Sequence, residues 1–155
     1  MLLTNHVLTG IYLGLVIDEP AVLLPVAVAS HLAMDVTPHF GPPPAGHRSA
    51  DFHDRFFLVI GSMDFLASLV VTASFCVARP DRAGHVLLGA FGAALPDLTY
   101  IPVIVLGERA YRIIPGLRRL IKGFLAPIQW YEKPPGLATE FVWAGMMLWA
   151  HGLIS

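Results

Sequence analysis

Long runs of apolar residues, interrupted by short groups of proline, glycine and charged residues, dominate this chain. The interruptions divide it into five segments, at about residues 4–17, 21–38, 56–78, 85–106 and 137–154. As helices, the third and fourth are long enough to cross about 30 Å of hydrocarbon, and the fifth nearly is. The first two are shorter and are joined only by Asp18, Glu19 and Pro20, which favours a tight helical hairpin. The pattern predicts an all-α integral membrane bundle of about five transmembrane helices, forming a single domain over residues 1–155.

The composition favours the same class of protein. Hydrophobic residues make up 55% of the chain and charged residues 14%, and the mean hydropathy is +0.66. Soluble domains average about 25% charged residues. The net charge of −1 gives no overall field that would attract nucleic acid. Cys76 is the only cysteine, which excludes an internal disulfide and a cysteine-based zinc site.

The distribution of basic residues predicts how the helices are oriented. If all five segments span, the loops around 40–55 and 107–136 lie on one side and together carry eight Lys and Arg residues. The opposite side carries only Arg79 and Arg82. The positive-inside rule then places the N-terminus in the cytoplasm, and we expect a multi-pass protein of a prokaryotic inner membrane.

The second of these basic loops has a pattern of its own. Over about residues 108–131, basic side chains alternate with Ile, Leu, Phe and Trp, and two prolines interrupt the run. Such a stretch is typical of an amphipathic segment that lies on anionic lipid headgroups. The alternative is an ordinary loop whose charges only fix the orientation. Membrane lipids are the predicted partners in the first case.

Ionisable side chains lie within or at the ends of the apolar segments. Each such group costs at least a few kcal/mol at bilayer depth, so it needs a partner, a cavity or a function. With the predicted orientation, they fall in one layer, about 10–15 Å thick, near the cytoplasmic face. They are His6, His31, Asp35, His39, Asp64, Asp97 and Glu140. Their shared depth predicts that they meet in one site.

The densest part of this group is the run SHLAMDVTPHF. His31, Asp35 and His39 are spaced four residues apart, so a helix presents them as one stripe. This spacing allows two side chains of one helix to bind a single metal ion. His31 and Asp35 could instead form a hydrogen-bonded packing pair between helices. Asp97, which follows Pro96, could satisfy backbone groups that the proline leaves unpaired.

Further carboxylates are candidates for acid–base catalysis. Glu132 precedes a Pro-Pro-Gly turn, and Glu140 follows that turn at the start of the last apolar segment. Asp64 lies between Met63 and Phe65 and requires a cation or a hydrogen-bond donor from elsewhere. We therefore predict Glu140, Asp64 and Glu132 as catalytic residues. For Glu140 the alternative is a charge that complements the N-terminal dipole of its helix.

Three runs of sequence resemble one family: TNHVLTGIYLG, SHLAMDVTPHF and GAALPDL. They are similar to those of small membrane-bound metal-dependent hydrolases of bacteria and archaea, which are related to the zinc-dependent phospholipase C class. The resemblance covers about the first 105 residues. It implies a hydrolase with intramembrane metal ligands, which here would be His6, His31, Asp35 and Asp97. The helical stripe, and not the resemblance, adds His39 as a further candidate ligand.

The leading hypothesis is a membrane hydrolase with one or two divalent metal ions, zinc or manganese, acting on a lipid-derived or lipid-linked phosphoester. The metal would lower the pKa of water and polarise a phosphoryl or acyl oxygen, and Glu140 would accept the proton. A second hypothesis is a small proton or cation transport protein, which with five spans would have to form a homo-oligomer. A third is a non-catalytic membrane scaffold held together by interhelical hydrogen bonds.

Overall fold

The computed structural model describes residues 1–40, 55–130 and 135–153, and for residues 55–57 the backbone alone. Helices make up 86% of the structure and no strand forms within these ranges, which confirms the predicted all-α class. The helices are α1 Leu3–Val16, α2 Pro20–Asp35, α3 Arg55–Ala78, α4 Ala83–Leu98, α5 Ile101–Leu106, α6 Ala110–Ile113, α7 Leu117–Leu120, α8 Ala126–Ile128 and α9 Pro135–Gly152. Two 3-10 turns, Pro80–Arg82 and Gly107–Arg109, and one π-helical turn, Ile121–Leu125, connect some of them.

The predicted boundaries of the first, third and fifth segments agree with α1, α3 and α9 to within two residues. The second segment is shorter than predicted, because Pro38 lacks an N–H group and disfavours helical backbone at the residue before it. The fourth is divided between α4 and α5. There, Pro102 cannot donate to the carbonyl of Leu98 four residues earlier, and the helix ends at Leu98.

Over residues 108–130, the predicted interfacial stretch forms a chain of short helical pieces. It turns at Pro115 and Gly116, where Gly116 has φ +80°, a backbone conformation that favours glycine. Its inner side chains are buried and pack against Leu32, Tyr100 and Val103 of the helical bundle. Those inner side chains are Ala110, Leu117, Ile121 and Leu125. The stretch is therefore attached to α2 and α5 by a small apolar core of its own.

Helix α1 is central and contacts α2, α3, α4 and α9. Its closest contact is with α4, where a Cβ atom on Gly10 would overlap the carbonyl oxygen of Gly89, and a Cβ atom on Gly89 would overlap the carbonyl of Gly10. One turn further on, Gly14 packs equally closely against the backbone of His85. Small residues four apart let helix backbones approach in this way. The antiparallel register places His6, one turn before Gly10, level with Ala93 of α4.

The surface of the molecule is strongly apolar. Leu58–Ala78 and the consecutive helical pieces from Pro80 to Ile113 are long and apolar enough to cross a membrane. Helix α3 exposes 81% of Val77 and 65% of Val70, and α9 exposes 70% of Trp149. Exposed apolar surface of this kind is typical of contact with lipid or with another protein. Since α1 and α2 have only 14 and 16 residues, the five-span topology and the orientation of the N-terminus stay predictions.

Candidate metal centre

His31 and Asp35 lie on one face of α2, as their spacing predicts, and both are buried, with 0% and 2% exposure. The Nδ1 atom of His31 lies 2.6 Å from the carbonyl oxygen of Ala93, so Nδ1 carries the hydrogen and donates it. The other ring nitrogen, Nε2, lies 3.1 Å from Oδ2 of Asp35. A histidine whose second nitrogen is fixed by a backbone carbonyl is the usual arrangement at a metal ion.

Helix α1 contributes the third member of this cluster. The imidazole of His6 stacks on that of His31, with ring centroids 3.7 Å apart and planes inclined by 17°. Nε2 of His6 lies 3.3 Å from Oδ1 of Asp35, so the two histidines approach different oxygens of one carboxylate. The close packing of α1 on α4 keeps His6 in this layer, because His6 lies level with the carbonyl that orients His31.

The polar atoms of the two histidines are not all satisfied. Both ring nitrogens of His6 and Nε2 of His31 are buried and have no hydrogen-bond partner in the part of the chain that the structure describes. The two Nε2 atoms lie 3.1 and 3.3 Å from oxygens of Asp35, which is their electrostatic partner, so Nδ1 of His6 is the nitrogen most clearly without one in the described structure. A buried polar atom without a partner costs about 1–3 kcal/mol, and native proteins contain few of them. Their concentration beside one carboxylate points to a ligand.

A divalent metal ion fits this donor set. One ligand atom from each of His6, His31 and Asp35 can be chosen so that all lie within 4.8 Å of one another. Zinc binds nitrogen and oxygen at about 2.0–2.2 Å, which separates tetrahedral ligand atoms by about 3.3 Å. The nitrogen-to-oxygen separations of 3.1 and 3.3 Å are near that value but end on the two different oxygens of Asp35, so binding of one ion requires small shifts of these side chains. Two imidazoles and one carboxylate also match the three-ligand sets of catalytic metal sites, which leave a coordination position open.

His39, a further predicted ligand, reaches the cluster by a different route from the one expected. Helix α2 ends at Asp35, so His39 is not part of the helical stripe. Instead its backbone N–H donates to the carbonyl of Trp130, whose own N–H donates to the carbonyl of Asp35. The ring is fully buried, with Nε2 4.0 Å from Oδ1 of Asp35. Burial lowers the pKa of His39 to about 4, which keeps this imidazole neutral at physiological pH.

Asp97 lies at the outer edge of the cluster. Its Oδ1 atom is 3.7 Å from Nε2 of His31. Its side chain is 30% exposed, whereas the side chains of His6, His31 and Asp35 are at most 2% exposed. Asp97 is therefore the least buried member of this group, and its role as a metal ligand stays a prediction.

The predicted catalytic residue Asp64 is bound to the beginning of α1. Its two oxygens accept the backbone N–H groups of Leu3 at 2.6 Å and Thr4 at 3.1 Å, and the Thr4 hydroxyl donates to it as well. These N–H groups belong to the first turn of a helix, where no carbonyl is available to accept them. Asp64 thus provides from α3 the N-terminal cap that α1 lacks in its own sequence.

Glu140, also predicted as catalytic, likewise accepts hydrogen bonds at the start of α1. It accepts the N–H of Leu2 at 3.0 Å, the side-chain amide of Asn5 at 2.6 Å and the N–H of Phe40 at 3.2 Å. It is buried, with 3% exposure. Glu140 therefore links the start of α1 to the backbone beside His39, one turn away from His6. Whether it or Asp64 takes part in catalysis stays a prediction.

The remaining predicted catalytic residue, Glu132, lies outside the described residues. The structure adds Gln129, whose side-chain amide donates to Oδ2 of Asp35 at 3.3 Å, and the backbone nitrogen of Met1, 3.0 Å from Oδ1. Gln129 lies in the polar run before the Pro-Pro-Gly turn, and this position beside Glu132 could have identified it as a candidate site residue from the sequence. Asn5 has no comparable signal, because nothing in the sequence pairs it with Glu140.

Comparison of the chain with protein-family models, with curated proteins and with solved structures finds no match. The resemblance to membrane-bound metal-dependent hydrolases therefore stays an expectation from three short runs of sequence. The candidate site rests on its geometry: two stacked imidazoles and a carboxylate, buried together, with unsatisfied ring nitrogens.

Proposed function

We propose that this protein is a membrane-embedded metal-dependent hydrolase that holds a divalent ion, zinc or manganese, on His6, His31 and Asp35. Its proposed substrate is a lipid-derived or lipid-linked phosphoester. The observation that carries the proposal is the group of buried ring nitrogens without hydrogen-bond partners beside a buried carboxylate. A scaffold whose polar side chains only hold helices together gains stability by pairing those atoms, so unpaired ones favour ion binding over a packing role.

The contacts of each site residue indicate its role in the proposed reaction. When bound, the metal ion supplies Lewis acidity for a phosphoryl oxygen and acidifies water. The Ala93 carbonyl fixes the tautomer of His31, and Gln129 holds one oxygen of Asp35. Asp97 is the carboxylate best placed to accept a proton from water, because it adjoins His31 and is the least buried member of the cluster.

Asp64 and Glu140 have a different role in this proposal. Their oxygens accept hydrogen bonds from the first N–H groups of α1, which uses the lone pairs that a general base requires. They set the position of α1 and therefore of His6. They act as positioning residues, while Asp97 performs the proton transfer.

The location of the substrate follows from the surroundings of the site. The outer faces of α3 and α9 are apolar, and the segment that supplies Gln129 is rich in basic residues. A substrate with an apolar tail and an anionic headgroup matches both features. A phosphoester at headgroup level therefore fits better than a freely diffusing polar metabolite.

Elemental analysis of the detergent-purified full chain tests the metal. The affinity tag belongs at the C-terminus, because the backbone nitrogen of Met1 contacts Asp35. We expect about one zinc or manganese per chain, lost in Asp35→Ala and retained in the control Asp81→Ala, which removes an exposed carboxylate from the turn after α3. A metal-free wild-type protein of normal stability, or equal metal content in both variants, would refute the proposal.

Hydrolysis is measured separately, on phospholipids and lipid-linked phosphoesters in mixed micelles. We expect chelation to abolish turnover, and Asp97→Asn to lower it by about 100-fold or more while metal content stays unchanged. Turnover that survives complete removal of the metal would contradict the mechanism. A pH-dependent cation flux in liposomes without any hydrolysis would replace it with the transport hypothesis.

A further inference from the structure

A second surface, away from the buried cluster, lies on the segment between Gly107 and Trp130. Its exposed side chains alternate between cations and large apolar groups, and we call this surface the basic face. It consists of Arg112, Ile113, Arg118, Arg119, Leu120, Lys122, Phe124 and Trp130. The apolar members are as open as the cations, since Ile113 is 65% exposed, Phe124 50% and Trp130 54%.

The opposite side of the same segment accounts for its folding. Ala110, Leu117, Ile121 and Leu125 are buried against the bundle and fix the path of the backbone. The outward side chains are not needed for that packing. Exposed aromatic and aliphatic groups are unfavourable in water, so their placement between cations requires a partner that offers both apolar volume and negative charge.

The charge of this segment differs from that of the whole chain. Residues 107–130 contain five basic side chains and one acidic one, whereas the complete chain has a net charge of −1. The single carboxylate, Glu108, is paired with Lys122 at 3.2 Å. The remaining cations thus form a local positive surface, which complements the negative surface of a leaflet that contains anionic lipids.

We propose that the basic face binds the surface of an anionic phospholipid leaflet, with its arginines on the lipid phosphates and with Phe124 and Trp130 inserted just below them. An amphipathic segment rich in cations and aromatic residues lies at this depth in a bilayer. The segment ends at Gln129 and Trp130, which contact Asp35 and His39, so the leaflet meets the molecule beside the candidate metal centre. This inference requires a bilayer around the protein but does not require a bound metal.

Fluorescence quenching in nanodiscs tests this surface with the full chain in its metal-free form. The nanodiscs contain phosphatidylcholine with a fixed fraction of phosphatidylglycerol, and bromine is carried by the acyl chains of one lipid or the other. The difference between wild type and Trp130→Phe reports Trp130 alone. For equal bromine content, we expect phosphatidylglycerol to quench Trp130 about twice as strongly as phosphatidylcholine, and high salt to reduce the difference.

The double variant Arg118→Gln/Arg119→Gln provides the decisive comparison. It should abolish the preference for the anionic lipid, whereas Arg79→Gln, which removes a half-exposed cation paired with Asp81 beyond the far end of α3, should leave it unchanged. Circular dichroism and gel filtration verify that each variant is folded. Equal quenching by the two lipids, a preference that survives the double variant, or no quenching by either lipid would overturn the proposal. Because the protein is metal-free, such a failure would leave the metal-content experiment unaffected.

Discussion

At its beginning, α1 meets the carboxylates of Asp64 and Glu140, and at its end it meets the guanidinium of Arg82. The carboxylates accept the backbone N–H groups of residues 2–4, and Nη2 of Arg82 donates to the carbonyls of residues 14, 15 and 17 at 3.1–3.3 Å. Both arrangements follow from the unpaired backbone groups and the dipole of a helix. Helix capping alone therefore does not distinguish a functional end from a structural one.

Unpaired buried nitrogens occur at both ends, since Nε of Arg82 and Nε2 of His151, which packs on Tyr12, also have no partner in the described structure. The two ends differ instead in how their histidines are arranged around a carboxylate. At the C-terminal end, Nε2 of His85 lies 2.8 Å from the carbonyl oxygen of Asp18, so this imidazole has an ordinary hydrogen bond. At the N-terminal end, His6 and His31 stack on each other and bury nitrogens that have no such partner in the described structure. A histidine next to a helix end is common, whereas two stacked imidazoles that both approach one buried carboxylate form a candidate ligand site.

Removing one histidine near each end of α1 should give the largest difference in zinc affinity. We expect His31→Ala to weaken zinc affinity by more than about 100-fold, because it removes a ligand, whose loss should cost at least as much as that of an outer-shell partner. His85→Ala should change the affinity less than twofold. Competition with a fluorescent zinc chelator measures both. Similar losses in the two variants would show that the ends do not differ in function.

The glycine contact between α1 and α4 offers the next test. Gly10→Ala places a methyl group into the carbonyl of Gly89 and should destabilise the protein by about 2 kcal/mol through overpacking. Since the helices must separate, we also expect weaker zinc binding through displacement of His6. Gly145→Ala is the matched control, because its methyl group meets open space and should stabilise α9 by up to about 1 kcal/mol. Thermal unfolding in detergent measures both changes, and equal behaviour of the two glycines would contradict the packing account.

Asp64→Asn separates positioning from catalysis. An amide nitrogen cannot accept the N–H groups that the carboxylate accepts, so we expect a loss of stability of about 1–3 kcal/mol. Turnover per bound metal ion should stay within twofold of wild type, with Asp81→Asn as the exposed control. Full stability combined with a large loss of turnover would instead support the sequence-based prediction that Asp64 is catalytic.

Arg82→Gln should have the smallest effect. Its side chain is 19% exposed, and its ionic partner Asp18 lies in solvent, so we expect a loss of about 1 kcal/mol in stability. Metal content should not change. A loss of metal in this variant, whose bonds lie 8 to 11 residues along the chain from His6, would mean that the site depends on the whole helix rather than on its N-terminal end.

The cluster around α2 was predictable because it depends on local periodicity. The spacing of His31 and Asp35 places them on one helical face wherever the helix packs, and the positive-inside argument placed His6, Asp97 and Glu140 at a similar depth. The end of α2 was harder to predict. Pro38 stops the helix early, and His39 approaches Asp35 only through the backbone of Trp130, a contact between residues far apart in sequence.

The roles of Asp64 and Glu140 could not be deduced from the sequence in the same way. Their partners are backbone N–H groups of α1, which every residue except proline carries and which no motif identifies. A carboxylate that caps a neighbouring helix and one that acts as a general base have the same sequence pattern. Only the distances to Leu2 and Leu3 favour the capping role.

The most direct test of the metal centre is X-ray absorption spectroscopy of the zinc-loaded full chain. The account predicts nitrogen and oxygen ligands at about 2.0 Å, no sulfur, and outer-shell scattering from at least two imidazoles. His6→Ala should remove one of these imidazoles, and His85→Ala should leave the spectrum unchanged. A spectrum without imidazole scattering, or one that His6→Ala does not alter, would contradict a metal ion held by the stacked histidines of α1 and α2.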